Sequence, residues 1–206
     1  MEEKYLPEVE DWDAFLAPYS QAIEELKIKL KGIRLQYRQK GKHAPIEFIT
    51  GRVKTPDSIR EKMQVRKILT EDFLEGVQDI AGLRIMCQFV DDIFEVVRLL
   101  RQRNDFTIII ERDYIHQKKA SGYRSYHVVL EYPVQRIEGE EKILVEIQIR
   151  TLAMNFWATI EHSLNYKYKG EFPEIIHERL ERAAEAAFLL DEEMSQIREE
   201  IQEAQY

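Results

Sequence analysis

The stretch Val145-Glu146-Ile147-Gln148-Ile149-Arg150 alternates apolar and polar residues without a break, and this period of two constrains the fold more than any other feature. In a strand it puts Val145, Ile147 and Ile149 on one face and Glu146, Gln148 and Arg150 on the other. The first face needs a hydrophobic cover. The second lines one surface with an acid, an amide and a cation.

The rest of the sequence supplies partners for such a strand. Asp13 to Lys40 carries Tyr19, Ala22, Leu26, Leu30, Ile33 and Tyr37 at spacings of three and four, which predicts a long helix with one apolar stripe. Gly41 to Pro45 breaks it, and Ile46 to Val53 reads as a strand. Thr55-Pro56-Asp57-Ser58 then has the form of a helix start, with Thr55 as cap and Pro56 at the first helical position. A short helix around Asp72 to Val77 precedes Ala81 to Val90, an apolar run interrupted by Arg84 that suits a central strand. Asp91 to Arg103 returns to helical spacing. Phe106 to Arg112, Tyr126 to Tyr132 and Ile143 to Arg150 complete the strands, the last two joined as a hairpin through Gly139. Leu152 to Tyr168 and Pro173 to Tyr206 read as helices separated by Gly170 and Pro173. The expected class is α+β, a mixed five-stranded sheet flanked by helices.

In the final helix Leu180, Ala183, Ala187, Leu190, Met194, Ile197 and Ile201 alternate spacings of three and four. That heptad seam serves either the parent domain or another subunit, and its acidic, terminal setting favours the subunit.

At 206 residues, 44% hydrophobic and 33% charged, the chain suits one globular domain. No apolar run approaches the roughly 20 residues of a membrane span, and Met1-Glu2-Glu3-Lys4 is acidic where a signal peptide is basic. The expectation is a cytoplasmic protein without membrane contact. Cys87, alone in an apolar run, reads as a small buried hydrophobe. The net charge of -8 hides an asymmetry: Lys27 to Lys67 holds 13 Lys and Arg against Glu47, Asp57 and Glu61, while Glu171 to Tyr206 holds 11 acids against three arginines. A basic segment in an acidic protein points to a localised anionic ligand; for Lys29, Lys40 and Lys42 a solvated helix face is the alternative.

Four polar clusters stand at strand ends and turns, where a core would not choose them. Gly51-Arg52-Val53-Lys54 puts two cations at a strand end, and Ser58 and Lys62 follow one turn apart on the next helix. Charge, hydroxyl and helix N-terminus together can hold a polyphosphate, although plain solvation beside a Pro turn uses the same residues. Asp79 precedes the strand that carries Arg84, and Glu146 lies in the alternating strand. Two carboxylates from different strands among cations suit an octahedral Mg2+ that keeps waters and phosphates as its other ligands; structural ion pairs with nearby arginines are the alternative. The fourth cluster, Lys119 to His127, is a Gly-containing turn entering a strand. Gly122 permits close backbone approach, Tyr123 offers a flat face to a base, and Lys119 or Arg124 can meet phosphate. His127 reads as a satisfied histidine, because no His, Cys and acid set has zinc spacing.

Taken in order, Gly51-Arg52-Val53-Lys54, Gln78 to Arg84, Ser121 to His127, Val145 to Thr151, and Trp157 through Glu161-His162 to Tyr166-Lys167 resemble the synthetase domain of the RelA/SpoT-type alarmone synthetases, most closely their short, single-domain members. The resemblance covers nearly the whole chain and implies a nucleotidyltransferase-like synthetase fold that moves a pyrophosphoryl group from ATP to the 3'-hydroxyl of GDP or GTP. It implies that Arg52 and Arg84 sandwich adenine, that Lys54, Ser58 and Lys62 hold the ATP phosphates, and that Asp79 and Glu146 bind Mg2+. Tyr123 would stack on guanine, Lys119 and Arg124 would lie near the acceptor's phosphates, and Gln148 with His127 would place its ribose. Glu146 is also the implied proton acceptor.

The resemblance further implies a homotetramer, built on the long C-terminal helix, with a central cleft for pppGpp as activator. The corresponding positions are Lys27, Lys31, Phe48, Thr50 and Asn155. Long family members carry Arg-X-Lys-Asp before the Gly-Tyr turn; here Ile110-Glu111-Arg112-Asp113 stands there, so their acceptor preference does not transfer. Ser121 also stands where they commonly have Asn. None of the five histidines precedes an Asp, so the His-Asp hydrolase motif is absent and one synthetase domain over residues 1–206 is expected. Two other classes remain open from the residues: a nucleotidyltransferase, and a single-stranded RNA binder that stacks bases on Tyr37, Tyr123 and Tyr126.

Overall fold

The chain, as a computed structural model, is described for residues 5, 7–168 and 172–204, without the side chains of Tyr166 and Lys167. The acidic N-terminal run Met1 to Lys4, the side chains of Tyr166 and Lys167 that end the last family motif, the break at Gly170 and the terminal Tyr206 lie outside what is described. The first helix, α1 (Trp12–Gln39), starts where the Asp11 carboxylate accepts from the Asp13 and Ala14 amides at 3.0 and 3.1 Å. Its stripe of Tyr19, Ala22, Leu26 and Leu30 is buried. Tyr37, at the end of the stripe, donates to Glu95 at 2.5 Å. Lys29 is partly exposed but paired: its ammonium meets Asp105 at 2.8 Å and the Tyr132 hydroxyl at 2.6 Å.

Strand β1 (Phe48–Val53) leads through Thr55 into α2 (Pro56–Arg66), with the Thr55 hydroxyl accepting from the Ser58 amide at 3.3 Å. A 3-10 turn at Thr70–Asp72 and the single-turn α3 (Phe73–Gly76) come before β2 (Ala81–Cys87). The apolar run predicts a strand up to Val90, but β2 ends at Cys87 and Val90 opens α4 (Val90–Arg101). The Asp92 carboxylate accepts from the Phe89 amide at 3.2 Å and so fixes the helix start inside the run. Then come β3 (Thr107–Asp113), β4 (Tyr126–Arg136), β5 (Gly139–Thr151), α5 (Leu152–Lys167) and α6 (Glu174–Glu203).

The sheet is mixed and five-stranded, in the order β1-β2-β5-β4-β3, with β2 and β5 parallel and the other pairs antiparallel. Both β4 and β5 run further than the apolar pattern indicates, and Gly139, at φ +127°, closes the turn between them. Pro133 lies beyond Glu131, where the β3–β4 pairing ends, so its missing N–H costs no bond on the β3 side. Leu83, Ile85, Val145, Ile147 and Ile149 pack with Leu26, Leu30, Ile93 and Val97 of α1 and α4 in one core. Cys87 is buried there, and burial pushes its thiol pKa up. Among the described residues no helix is long and apolar enough to cross a membrane.

Candidate active site

The opposite sheet face carries the polar set. The register places Gly82 beside Glu146 and Arg84 beside Gln148, with Arg52 across from Gly82 and His127 across from Gln148. A cavity of about 220 Å³ opens here, lined by Thr50, Arg52, Lys54, Asp79, Arg84, Glu146 and Gln148, with the backbone of Gly51 and Gly82. Asp79 and Glu146, from separate parts of the chain, therefore face one space. Gly82 leaves the floor open, since it puts no side chain between Arg52 and Glu146.

Asp79 is held by two cations: Lys62 Nζ stands 2.6 Å from Oδ1 and Lys54 Nζ 3.2 Å from Oδ2. Burial lowers the Lys62 pKa, opposed by its contact with Asp79 and reinforced by Arg66 and Lys54. Glu146 is braced differently. His127 Nδ1 lies 3.1 Å from Oε1 and Gln148 Nε2 donates to Oε2 at 2.9 Å. Burial alone would raise the Glu146 pKa, but the hydrogen bonds from His127 and Gln148 and the charge of Lys62 outweigh it and bring it below the usual carboxylate range.

The bracing continues as a relay of hydrogen bonds. Arg150 donates to the Tyr123 hydroxyl at 2.6 Å and to Gln148 Oε1 at 2.7 Å, and Tyr123 Oη meets His127 Nε2 at 2.7 Å. Because the tyrosine oxygen already accepts from Arg150, its own proton goes to Nε2. A neutral His127 with its proton on Nδ1, donating to Glu146, satisfies every member of the chain. His127 is thus the satisfied histidine that the sequence predicts.

Positive charge accumulates around this relay. The Arg84 pKa is lowered by burial and by Arg150 and Arg52; the Lys119 pKa is lowered by burial and by Arg66, with Arg112 and Arg150 adding to it against Glu146. Lys119 Nζ sits 4.9 Å above the Tyr123 ring and 4.7 Å above Tyr114. Cations this crowded favour an anion among them. Arg66, Arg112 and Tyr114 escape the sequence reading, although strand parity marks Arg112, which sits opposite His127.

Two expectations need correction. Arg124 does not reach the cavity: it is 8% exposed, its guanidinium lies 4.0 Å over the Phe188 ring, and it pairs with Glu185 at 2.9 Å on α6. Tyr123 and Arg124 are consecutive residues on the backbone leading into β4, so their side chains point to opposite sides. The stacking strip for RNA also fails, because Tyr126 is 5% exposed, with its hydroxyl on Glu111, and Tyr37 is tied to Glu95. Ser58 is exposed on α2, its hydroxyl accepting from Thr55 at 2.9 Å. Of the five positions expected to bind an activator, Thr50 lines the cavity, Phe48 is 42% exposed at the start of β1, Lys27 pairs with Glu24, and Asn155 has a buried Oδ1 without a partner.

Among the described residues no group of three or more His, Cys, Asp or Glu is placed to hold a metal. Asp79 and Glu146 offer hard oxygen donors from two sides of one cavity, a partial shell that fits a Mg2+ retaining waters and phosphates.

The region found in RelA / SpoT proteins matches residues 51–171. The chain is 63% identical over 194 residues to the GTP pyrophosphokinase YjbM of Bacillus subtilis, covering 94% of this chain and 92% of that protein. The crystal structure of small alarmone synthetase 1 from Bacillus subtilis bound to its product pppGpp superposes with a TM-score of 0.89 at 62% identity, covering 93% of this chain and 98% of the other. The same enzyme bound to AMPCPP gives a TM-score of 0.81 at 58% identity with the same coverage. The matched region takes in the cavity wall from Gly51 to Gln148, and this chain belongs to the RelA/SpoT family.

Proposed function

We propose that the chain transfers the β,γ-pyrophosphoryl group of ATP to the 3'-hydroxyl of GDP or GTP, giving ppGpp or pppGpp and AMP. The observation that carries this reading is the convergence of Asp79 and Glu146 on one cavity rimmed by Arg52, Lys54 and Arg84, in a member of this family. The 3'-oxygen bonds to the β-phosphorus and gives up its proton through Glu146 to solvent, the bond from that phosphorus to the α,β-bridging oxygen breaks, and AMP leaves. Such chemistry rests on in-line positioning and on neutralising charge.

Arg52 and Arg84 flank the adenine, while Lys54, Lys62 and the N-terminal turn of α2 with Ser58 hold the donor phosphates. Tyr123 stacks on guanine once Lys119 swings off its face toward the acceptor's phosphates, and Gln148 and His127 fix the ribose. Asp79 and Glu146 are the ligands for Mg2+, which when bound would neutralise charge on the transferred group. With its pKa lowered, Glu146 is a weaker proton acceptor than an ordinary carboxylate and a good oxygen donor. It orients the 3'-hydroxyl rather than serving as a powerful base.

The unit works as one synthetase domain without product hydrolysis, in the cytoplasm, as a homotetramer that pppGpp activates through Lys27, Lys31, Phe48, Thr50 and Asn155. Incubation of the pure protein with ATP, Mg2+ and GDP or GTP tests the reaction. AMP and a 3'-pyrophosphorylated guanine nucleotide are expected; release of pyrophosphate would assign a nucleotidyltransferase instead.

A further inference from the structure

The loop that carries Tyr123 is fastened to the last helix, and the fastening lies outside the cavity. Lys118 Nζ reaches Glu181 at 3.4 Å and Glu185 at 3.2 Å, and Arg124 meets the same Glu185 at 2.9 Å. Between them Gly122 lies so close to α6 that a Cβ on it would stand 2.6 Å from the Ala184 Cβ. The loop is closed on itself by the Gly122 amide donating to the Lys119 carbonyl at 2.8 Å and the Lys119 amide donating to the Tyr123 carbonyl at 3.2 Å. Its inner side chains, Lys119 and Tyr123, therefore move as one with its outer ones. On the far side α6 is anchored by Trp157 Nε1, which donates to the Leu180 carbonyl at 2.9 Å.

Arg124 is costly where it is. Nε and Nη1 are buried and have no partner, so its charge is compensated only by Glu185 and the Phe188 ring. A cation held this way adds little net stability, and removing its partner exposes the full cost of the buried charge. The arrangement serves the placing of the loop better than the stability of the fold.

We propose that Glu185 and Phe188 are positioning residues for the acceptor nucleotide, acting through Arg124 to hold Tyr123 and Lys119 toward the cavity. The inference rests on the pyrophosphoryl-transfer reading for the identity of the acceptor. It assigns α6 a part in the active site of its own chain, apart from any contact with a second subunit.

Steady-state kinetics of Glu185→Ala and Phe188→Ala test it. The expected result is a KM for GDP or GTP raised about tenfold, with the KM for ATP and kcat little changed, because only the acceptor's seat is loosened. Arg124→Glu should give the same pattern, and pairing it with Glu185→Arg should restore acceptor affinity. Hydrogen exchange of the nucleotide-free proteins should show faster exchange at residues 115–124 in each single variant. Unchanged loop exchange, or equal changes in donor and acceptor KM, would overturn the proposal. The exchange measurement uses no substrate, so a wild type that makes no alarmone would sink the functional reading without being mistaken for failure of the clasp.

Discussion

Asp79 and Glu146 are supported by different groups, which makes their isosteric variants informative. Asp79→Asn leaves Lys54 and Lys62 with a neutral partner at 3.2 and 2.6 Å, and Glu146→Gln keeps an acceptor for His127. Each variant should keep its far-ultraviolet circular dichroism and lose synthesis by at least about a hundredfold. Near-normal turnover in either would remove the metal assignment. A third carboxylate lies away from the cavity. Asp191 is 6% exposed on α6, its Oδ2 accepts from the Thr151 hydroxyl at 2.5 Å, and burial raises its pKa to about 6 despite that bond. The folded chain therefore binds this proton more tightly than the unfolded chain, whose Asp titrates near 3.8. Stability falls as pH rises through 4 to 6, and above 6 the whole penalty, on the order of 3 kcal/mol, stands. Asp191→Asn should melt higher than wild type at pH 7.5, and the difference should close as the pH drops toward 4. A constant difference across that range would exclude Asp191 as its source.

At the scale of elements, α1 and β1 meet closely at Gly51. A Cβ at Gly51 would come within 2.6 Å of Ile23 Cγ2 and 2.8 Å of Leu83 Cδ2. The Leu83 methyl can swing aside, whereas Ile23 is β-branched and stiff. Gly51→Ala is expected to destabilise by about 1–3 kcal/mol through overpacking, read from urea unfolding, and to disturb the adjacent Arg52. A neutral change would mean that α1 slides freely on the strand. The sequence announces β2, β5 and the α1 stripe because each buries a single periodic face, and it announces the α2 start because Thr55 and Pro56 cap it. It hides what periodicity does not govern. Phe89 and Val90 continue the apolar run of β2, and only the Asp92 cap separates strand from helix. Residues 135–142 of the β4–β5 hairpin carry no buried apolar residue, so turn geometry at Gly139 sets their register. Arg124 looks like a neighbour of Tyr123 in the site; being the next residue on extended backbone it points the other way, to Glu185 and Phe188 of α6. Arg66 and Arg112 join the cation cluster only once α2 and β3 are folded against the sheet.

In the whole molecule, the parts of α5 and α6 that face away from their own domain are apolar. Along α6, Ala184, Phe188 and Asp191 turn inward, while Leu190, Met194, Ile197 and Ile201 are 57%, 46%, 39% and 54% exposed. Along α5, Leu152, Phe156, Ile160 and Leu164 are 46%, 69%, 47% and 44% exposed at every fourth position. The parent domain therefore uses only the start of the seam seen in the sequence, where Leu180 and Ala187 pack against Trp157 and Ala184, and the two exposed stripes on neighbouring helices fit burial by another copy of the chain. Four carboxylates placed by Leu190→Glu with Met194→Glu in each of two meeting copies would repel one another across a desolvated contact. The double variant is expected to fall to a smaller mass in light scattering while keeping the helical content of the monomer. If pppGpp activates through a cleft between copies, stimulation by pppGpp should disappear in the same variant, and Lys31→Ala with Phe48→Ala should abolish it without dissociation. Basal synthesis should survive in the dissociated form, because Asp79, Glu146 and the cations around them all come from one chain. Loss of basal synthesis on dissociation would mean instead that a second copy completes the active site.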